Sequence, residues 1–319
     1  MSVTGIKHPG KFHTLVSLLN KQKYIHMMIL PAIIWLVVFA YIPMAGIQVA
    51  FRDYIFRKGM WGSPWIGLAN FVDFFTDINL PRIMTNTMAI CLLKVFLLYP
   101  IPIILALMLN EVRNRAFKRI VQTVSYFPYF ISFVTIAFLA TNWLSASNGF
   151  VNAFLMWLGI LDKPYLFLGK PEAFWWISLG LDGWKNIGWG SIIYLAAISS
   201  IDQEMYEAAT IDGANKFHNI IYITLPSILP TIMVMFILNI GYMLGGGLYA
   251  SNFDCSYLLG NPLNAPTSEI LDLYVFKIGI SLGRYSYATA IGLLQSLVSL
   301  VLLFGANSLS NKITNESFF

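Results

Sequence analysis

The chain has 319 residues, of which 57% are hydrophobic and 11% charged, with a formal net charge of +5 and a mean hydropathy of +0.68. Soluble domains run at roughly 45–50% apolar and about 25% charged, so the composition excludes an ordinary soluble enzyme and indicates a membrane protein. The basic residues form no run with an RNA-binding signature, so no nucleic-acid partner is expected.

A hydrocarbon core about 30 Å thick calls for roughly 20 residues of apolar helix. In chain order the stretches that meet this are 27–48, 86–109, the shorter 128–144, then 174–198, 227–244 and 287–306. Lipid offers no partner for open backbone groups, and the ten-residue alternation of a membrane β-barrel is absent. The expected fold is therefore all-α, with about six transmembrane helices over residues 27–307, an amino-terminal segment at 1–26 and a tail at 308–319. The first stretch is too long for a signal peptide and lacks a small-residue cleavage site, so it reads as an anchor.

Lys and Arg near the span ends set the orientation. The run NEVRNRAFKR at 110–119 places Arg113, Arg115, Lys118 and Arg119 against the second span. Lys7, Lys11, Lys21, Lys23, Lys216 and Lys312 fall on the same side, against Arg52, Arg57, Lys58, Arg82, Lys163, Lys170, Lys277 and Arg284 on the other. Both termini are thus expected on the cytoplasmic side. Cys91 in a span and Cys255 in an outer loop form no disulfide framework or metal site. Neither a Walker-type G-x-x-x-x-G-K-[ST] nor H-E-x-x-H occurs, so any ATP-driven process needs the nucleotide bound elsewhere.

Between the fourth and fifth stretches the chain turns polar, over a loop at 200–226 that contains EAATIDGANKFHNIIYITLP. Ser200 or Asp202 can cap a short helix through Glu207, Gly213 can end it in the left-handed region, and a second helix over 215–223 is expected to close at Pro226. A surface helix on the headgroups would be the plainest account of such a loop. The spacing is more particular. Glu207, Ala208, Ala209, Gly213, Ile223, Leu225 and Pro226 match without departure the EAA loop of the membrane subunits of binding-protein-dependent ABC importers, which this sequence resembles.

The resemblance extends to Leu30-Pro31, FRDY at 51–54, GLANFVDFF at 67–75, WKNIGWGSIIYLAAI at 184–198 and the stretch 287–312. These are similar to carbohydrate permeases of the maltose-type superfamily, polysaccharide-type subgroup. The resemblance implies a permease subunit with no catalytic site or metal of its own and no cofactor in this chain. It implies a second homologous permease, a dimer of ATPase subunits that binds ATP and Mg, an extracytoplasmic solute-binding protein and an oligosaccharide cargo. The EAA segment would be the coupling helix that docks on an ATPase.

For the substrate path the candidates are Asp182, Trp184, Lys185, Asn239 and Tyr242, because ionisable groups inside a span face the bundle or water by default. Asp182 and Lys185 are three apart and share a helix face where they can neutralise one another; an internal or snorkelling ion pair is the structural alternative, and Trp184 can be an interfacial belt residue. Lys94, near Pro100 and Pro102, and the glycines at 245–247 are weaker signals, for a helix kink and for a hinge or loop entry. The outer segments 51–82, 145–172 and 250–285 suit docking of a binding protein. Two rivals from other classes are an ion-coupled sugar transporter, which usually shows inverted repeats or more spans, and a membrane glycosyltransferase, which needs paired carboxylates or a metal cluster.

Overall fold

In a computed structural model the described residues are 22–244 and 251–314. Among them the architecture is helical, and the sole β feature is an isolated antiparallel bridge between Arg52 and Trp65. Four helices are long and apolar enough to cross a membrane: α1 at Lys23–Phe51, then Leu80–Glu111, Lys216–Gly241 and Tyr285–Thr314. A fifth crossing is possible through Arg115–Phe130 and Phe133–Trp143, which are bent by 100° at their break.

In chain order, α1 is followed by α2 (Ala69–Phe75), α3 (Leu80–Glu111), α4 (Arg115–Phe130) and α5 (Phe133–Trp143). Next come α6 (Phe150–Trp157), α7 (Pro171–Ser199), α8 (Gln203–Ile211) and α9 (Lys216–Gly241). The last are α10 (Ser251–Leu259), α11 (Leu271–Phe276) and α12 (Tyr285–Thr314). The fourth expected span lies within α7, whose 29 residues reach about 44 Å but carry Asp182, Lys185 and Asn186. The third expected span, 128–144, is not one helix. Pro128 enters a short 3-10 turn, and Ser132 accepts a hydrogen bond from the Thr135 amide to start α5 afresh, which puts the sharp bend between them.

The expected close at Pro226 is also corrected. Residues Lys216–Asn219 pass through a π-turn at Ile220–Thr224 straight into the span. A proline inside an α-helix lacks an N–H and collides with the carbonyl four residues back. The wider turn just ahead of it moves that carbonyl away, so Pro226 is carried without a break. The same device precedes Pro43, after the π-turn Val37–Tyr41, and Pro100, after the π-turn Lys94–Leu98.

Three buried clusters organise the bundle. Ile90, Phe133, Ala137, Phe174, Cys255 and Leu259 bring α3, α5, α7 and α10 together; Phe74, Ile83, Leu271, Tyr274, Tyr287 and Ile291 join α2, α3, α11 and α12. Ile103, Ala106, Tyr194, Ile198 and Ile228 join α3, α7 and α9. Helix α7 is in two of them. Its glycines allow close crossings: a Cβ on Gly188 would lie 1.9 Å from the carbonyl oxygen of Ser125, whereas one on Gly183 would meet the Leu98 side chain at 2.9 Å. By contrast, the stretch Lys23–Leu36 of α1 buries no residue. Only its far end joins the bundle, where Ala50 packs on Phe71 and Ala290.

Candidate functional site

The polar loop folds as two helices around a left-handed glycine. The side chain of Asp202 accepts from the Glu204 amide to cap α8. Gly213 sits at φ +82°, a region L side chains reach at a cost, and Asn215 accepts from the His218 amide to start the next helix. No residue of α8 is buried, and Glu207 and Ala208 are exposed while Ala209 is half-buried. Around them stand exposed apolar side chains that the motif does not name: Met205, Ile211, Phe217 and Tyr222, with Ile211 at 87% exposure. Composition alone gave no signal for them.

The loop is tied to the spans at three points. The Tyr206 hydroxyl meets Thr224 Oγ1 at 3.0 Å, and Thr224 is buried. Leu225 packs on the cluster of Ile103, Tyr194 and Ile198. Lys216 pairs with Glu111 at 2.7 Å, so the end of α3 lies beside the base of α9. Ile223 is half-buried and Pro226 exposed.

A second site is a cavity of about 100 Å³ between α3, α7, α9 and α10, lined by Lys94, Asp182, Asn186, Asn239, Tyr242 and Asn252 among others. Three of the five residues expected on the substrate path, Asp182, Asn239 and Tyr242, therefore meet there. The Asp182–Lys185 pairing does not form. Asp182 instead pairs with Lys94 at 3.1 Å and accepts from Asn186 at 2.8 Å. Lys185 donates to the carbonyls of Tyr129 and Ile131, the open end of the turn between α4 and α5. There Trp189 stacks on Tyr129 at 4.3 Å. Lys185 is thus a clasp for the bend, and neither it nor Trp184 lines the cavity.

Spacing had suggested the wrong partner because a three-residue step brings two Cα atoms to one face without fixing where long side chains go. Lys94 stands at the head of the π-turn, which turns it toward α7. Asn252 is a further polar group of the cavity, its Oδ1 buried without a hydrogen-bond partner. The glycines at 245–247 lie outside the described residues. Cys91 and Cys255 are both buried and free. Cys255 stands on α10 rather than in an open loop. No group of three or more His, Cys, Asp or Glu that could hold a metal occurs among the described residues.

On the side opposite the polar loop, Asp77 joins α2 to α11 and α12. Tyr274 and Tyr287 both donate to its Oδ2, the latter at 2.8 Å. Burial pushes the Asp77 carboxyl up, but these hydrogen bonds and those from Asn79 outweigh it and hold the group below its ordinary value.

Residues 99–315 match the family described as binding-protein-dependent transport system inner membrane component. The chain belongs to this family. Protein LplB of Bacillus subtilis is 37% identical over 97% of this chain and 95% of its own length. The polygalacturonan/rhamnogalacturonan transport system permease protein YteP of the same organism is 39% identical over 94% and 92%. Among solved structures, a chain of a bacterial ABC transporter that imports the acidic polysaccharide alginate superimposes with a TM-score of 0.86, at 37% identity over 94% of this chain and 99% of that one. A second, of the alginate transporter in complex with alginate pentasaccharide-bound periplasmic protein, does so at 0.86 and 38% identity. The chain is thus an inner membrane component of a binding-protein-dependent transport system, which sets aside the ion-coupled transporter and the glycosyltransferase.

Proposed function

We propose that this permease forms half of the path of an ATP-driven oligosaccharide importer in the bacterial inner membrane, and that its EAA loop transmits the state of an ATPase to the spans. The observation that carries the reading is the loop's construction: an exposed two-helix unit, open to a partner on one side, pinned to the helix core through Tyr206–Thr224 and Leu225 on the other. A push on α8 then moves α9 and its contacts with α3 and α7 as one body, the element a rigid-body switch requires.

The topology that fits has six spans, α7 being the fourth, with both termini on the side of the EAA loop. A second, homologous permease completes the path, two ATPase subunits carry ATP and Mg, and a loaded binding protein docks on the opposite face. The cavity of about 100 Å³ is far below the roughly 300–1,000 Å³ of sites that hold small ligands. Passage of an oligosaccharide therefore needs α3, α7 and α9 to part, which is what alternating access supplies. Asp182, Asn239 and Tyr242, together with Lys94, Asn186 and Asn252, are the groups the cargo would meet as the cavity widens.

The test is ATP hydrolysis by the purified complex in liposomes with its binding protein and a panel of neutral and acidic oligosaccharides. Glu207→Ala or Gly213→Pro is expected to abolish stimulation by loaded binding protein, or to release the ATPase. Stimulation that survives both substitutions rejects the coupling role of the loop.

A further inference from the structure

Helix α4 carries a feature that the transport reading does not use. Its residues RAFKRIVQTVSYFPYF contain Arg115, Lys118 and Arg119 and no acidic side chain. At 100° per residue, Phe117, Ile120, Val124 and Phe127 fall on one face, and all four are exposed, between 56% and 67%. Arg115 and Arg119, both exposed, fall on the opposite side. Ser125, between the two faces, is the residue that rests against Gly188 of α7. Helix α4 therefore touches the bundle along one edge and leaves both its oily and its basic faces open.

The direction of the helix decides what those faces meet. It is bent by 100° from α5, so where α5 runs across the bilayer α4 lies nearly in its plane. Lys185 holds the bend through two backbone carbonyls. The depth is set by the Lys216–Glu111 pair, which places the turn before α4 at the level of the base of α9. No ion pair among the described residues engages Arg113, Arg115, Lys118 or Arg119. An in-plane helix with a bulky apolar face and an unneutralised basic face is built to sink its hydrocarbon side into the acyl boundary and leave its cations among headgroups.

We infer that α4 is a membrane-surface helix that binds anionic phospholipid beside the coupling loop, and that this contact tunes transport. The partner is a lipid surface rather than a protein because the faces are split by charge, and each Lys or Arg near an anionic surface raises partitioning roughly fivefold. A second protein chain would instead cover the apolar residues and leave the cations without a role.

The experiment uses the full complex in nanodiscs of phosphatidylcholine with phosphatidylglycerol raised stepwise. A bimane fluorophore is placed on Val124→Cys; the native cysteines are buried, which limits background labelling. Brominated phosphatidylcholine is expected to quench it, and the quench is expected to deepen with phosphatidylglycerol and to relax in high salt. Sugar-stimulated hydrolysis is expected to rise at least about threefold over the same series, and Arg115→Gln/Lys118→Gln/Arg119→Gln is expected to flatten that response. An unquenched fluorophore overturns the proposal in favour of a protein contact. A quench and a hydrolysis rate that ignore phosphatidylglycerol overturn the anionic preference. If the triple variant does not assemble, the lipid and salt dependence of the quench on the otherwise native basic face decides alone.

Discussion

At the scale of single residues, Asp182 is buried inside the helix bundle and pairs with Lys94, which is half-buried. Removing one member of such a pair costs about 3–5 kcal/mol, whereas replacing both by neutral groups is often tolerated. Lys94→Met is therefore expected to lower the thermal midpoint of the complex sharply, and Lys94→Met/Asp182→Asn to recover most of it. A single variant as stable as the double one would show that the pair is not closed in the membrane. The two glycines of α7 provide a second contrast. Gly188→Ala drives a methyl into the backbone of α4 and is expected to prevent folding or assembly, while Gly183→Ala needs a rotation of Leu98 and a slight shift of the Ile187 side-chain end and is expected to cost less than about 1.5 kcal/mol. Equal yields of the two would place α4 farther from α7 than the crossing requires. Asp77 supplies a pH dependence. Its folded carboxyl lies below the ordinary value of 3.8, so it stabilises the fold at every pH above that value and the contribution is lost as pH falls through the folded value. Melting of wild type and Asp77→Asn compared from pH 7 to pH 3 is expected to show a wild-type advantage that is level down to about pH 4 and then closes.

At the scale of elements, the recurrent device is the π-turn set two residues before a proline, at Pro43, Pro100 and Pro226. An α-helix can carry a proline in a span only if the freed carbonyl is moved or satisfied, and a five-residue turn moves it. At Pro226 the consequence is mechanical. The wide turn fixes the rotation of residues 216–224 relative to the rest of α9, and with it the meeting of Tyr206 and Thr224. In Pro226→Ala the amide returns and the turn can tighten to the α form, which rotates the loop about the helix axis. The ratio of stimulated to unstimulated hydrolysis is expected to fall, while the thermal midpoint holds or rises because the helix is better bonded. A midpoint that drops together with the ratio would mean that the proline acts through folding rather than through register. The break between α4 and α5 is a different solution, since there the chain abandons the helix at Pro128 and restarts it at Ser132.

At the scale of the whole molecule, four of the six expected spans stand as long apolar helices; they were legible because burial in lipid needs an unbroken hydrocarbon run, and no tertiary contact can substitute for it. The cap at Ser200 or Asp202, resolved as Asp202, and the turn at Gly213 were legible for a similar reason, their chemistry being local. Helix continuity through Pro226, the bend after Phe130 and the choice of Lys94 over Lys185 as partner of Asp182 were not, because each is settled by neighbours distant in sequence. The least self-explanatory element is α1. Its apolar stretch contributes no buried residue, although Ile33, Trp35, Phe39 and Ile42 are each at least half exposed. Lipid alone would satisfy such a helix, but so would a groove on a second permease, and the two differ in how much side-chain shape matters. Contact with lipid depends on hydrophobicity only, whereas helix packing in a membrane depends on fit. Replacing residues 27–44 by a leucine-rich span of equal length keeps hydrophobicity and topology and removes the shape. If α1 lies on the second permease, recovery of that subunit with the tagged chain is expected to fall at least tenfold, or about 1.4 kcal/mol of association. Undiminished recovery assigns α1 to lipid, leaving the faces of α3, α7 and α9 to hold the two permeases together.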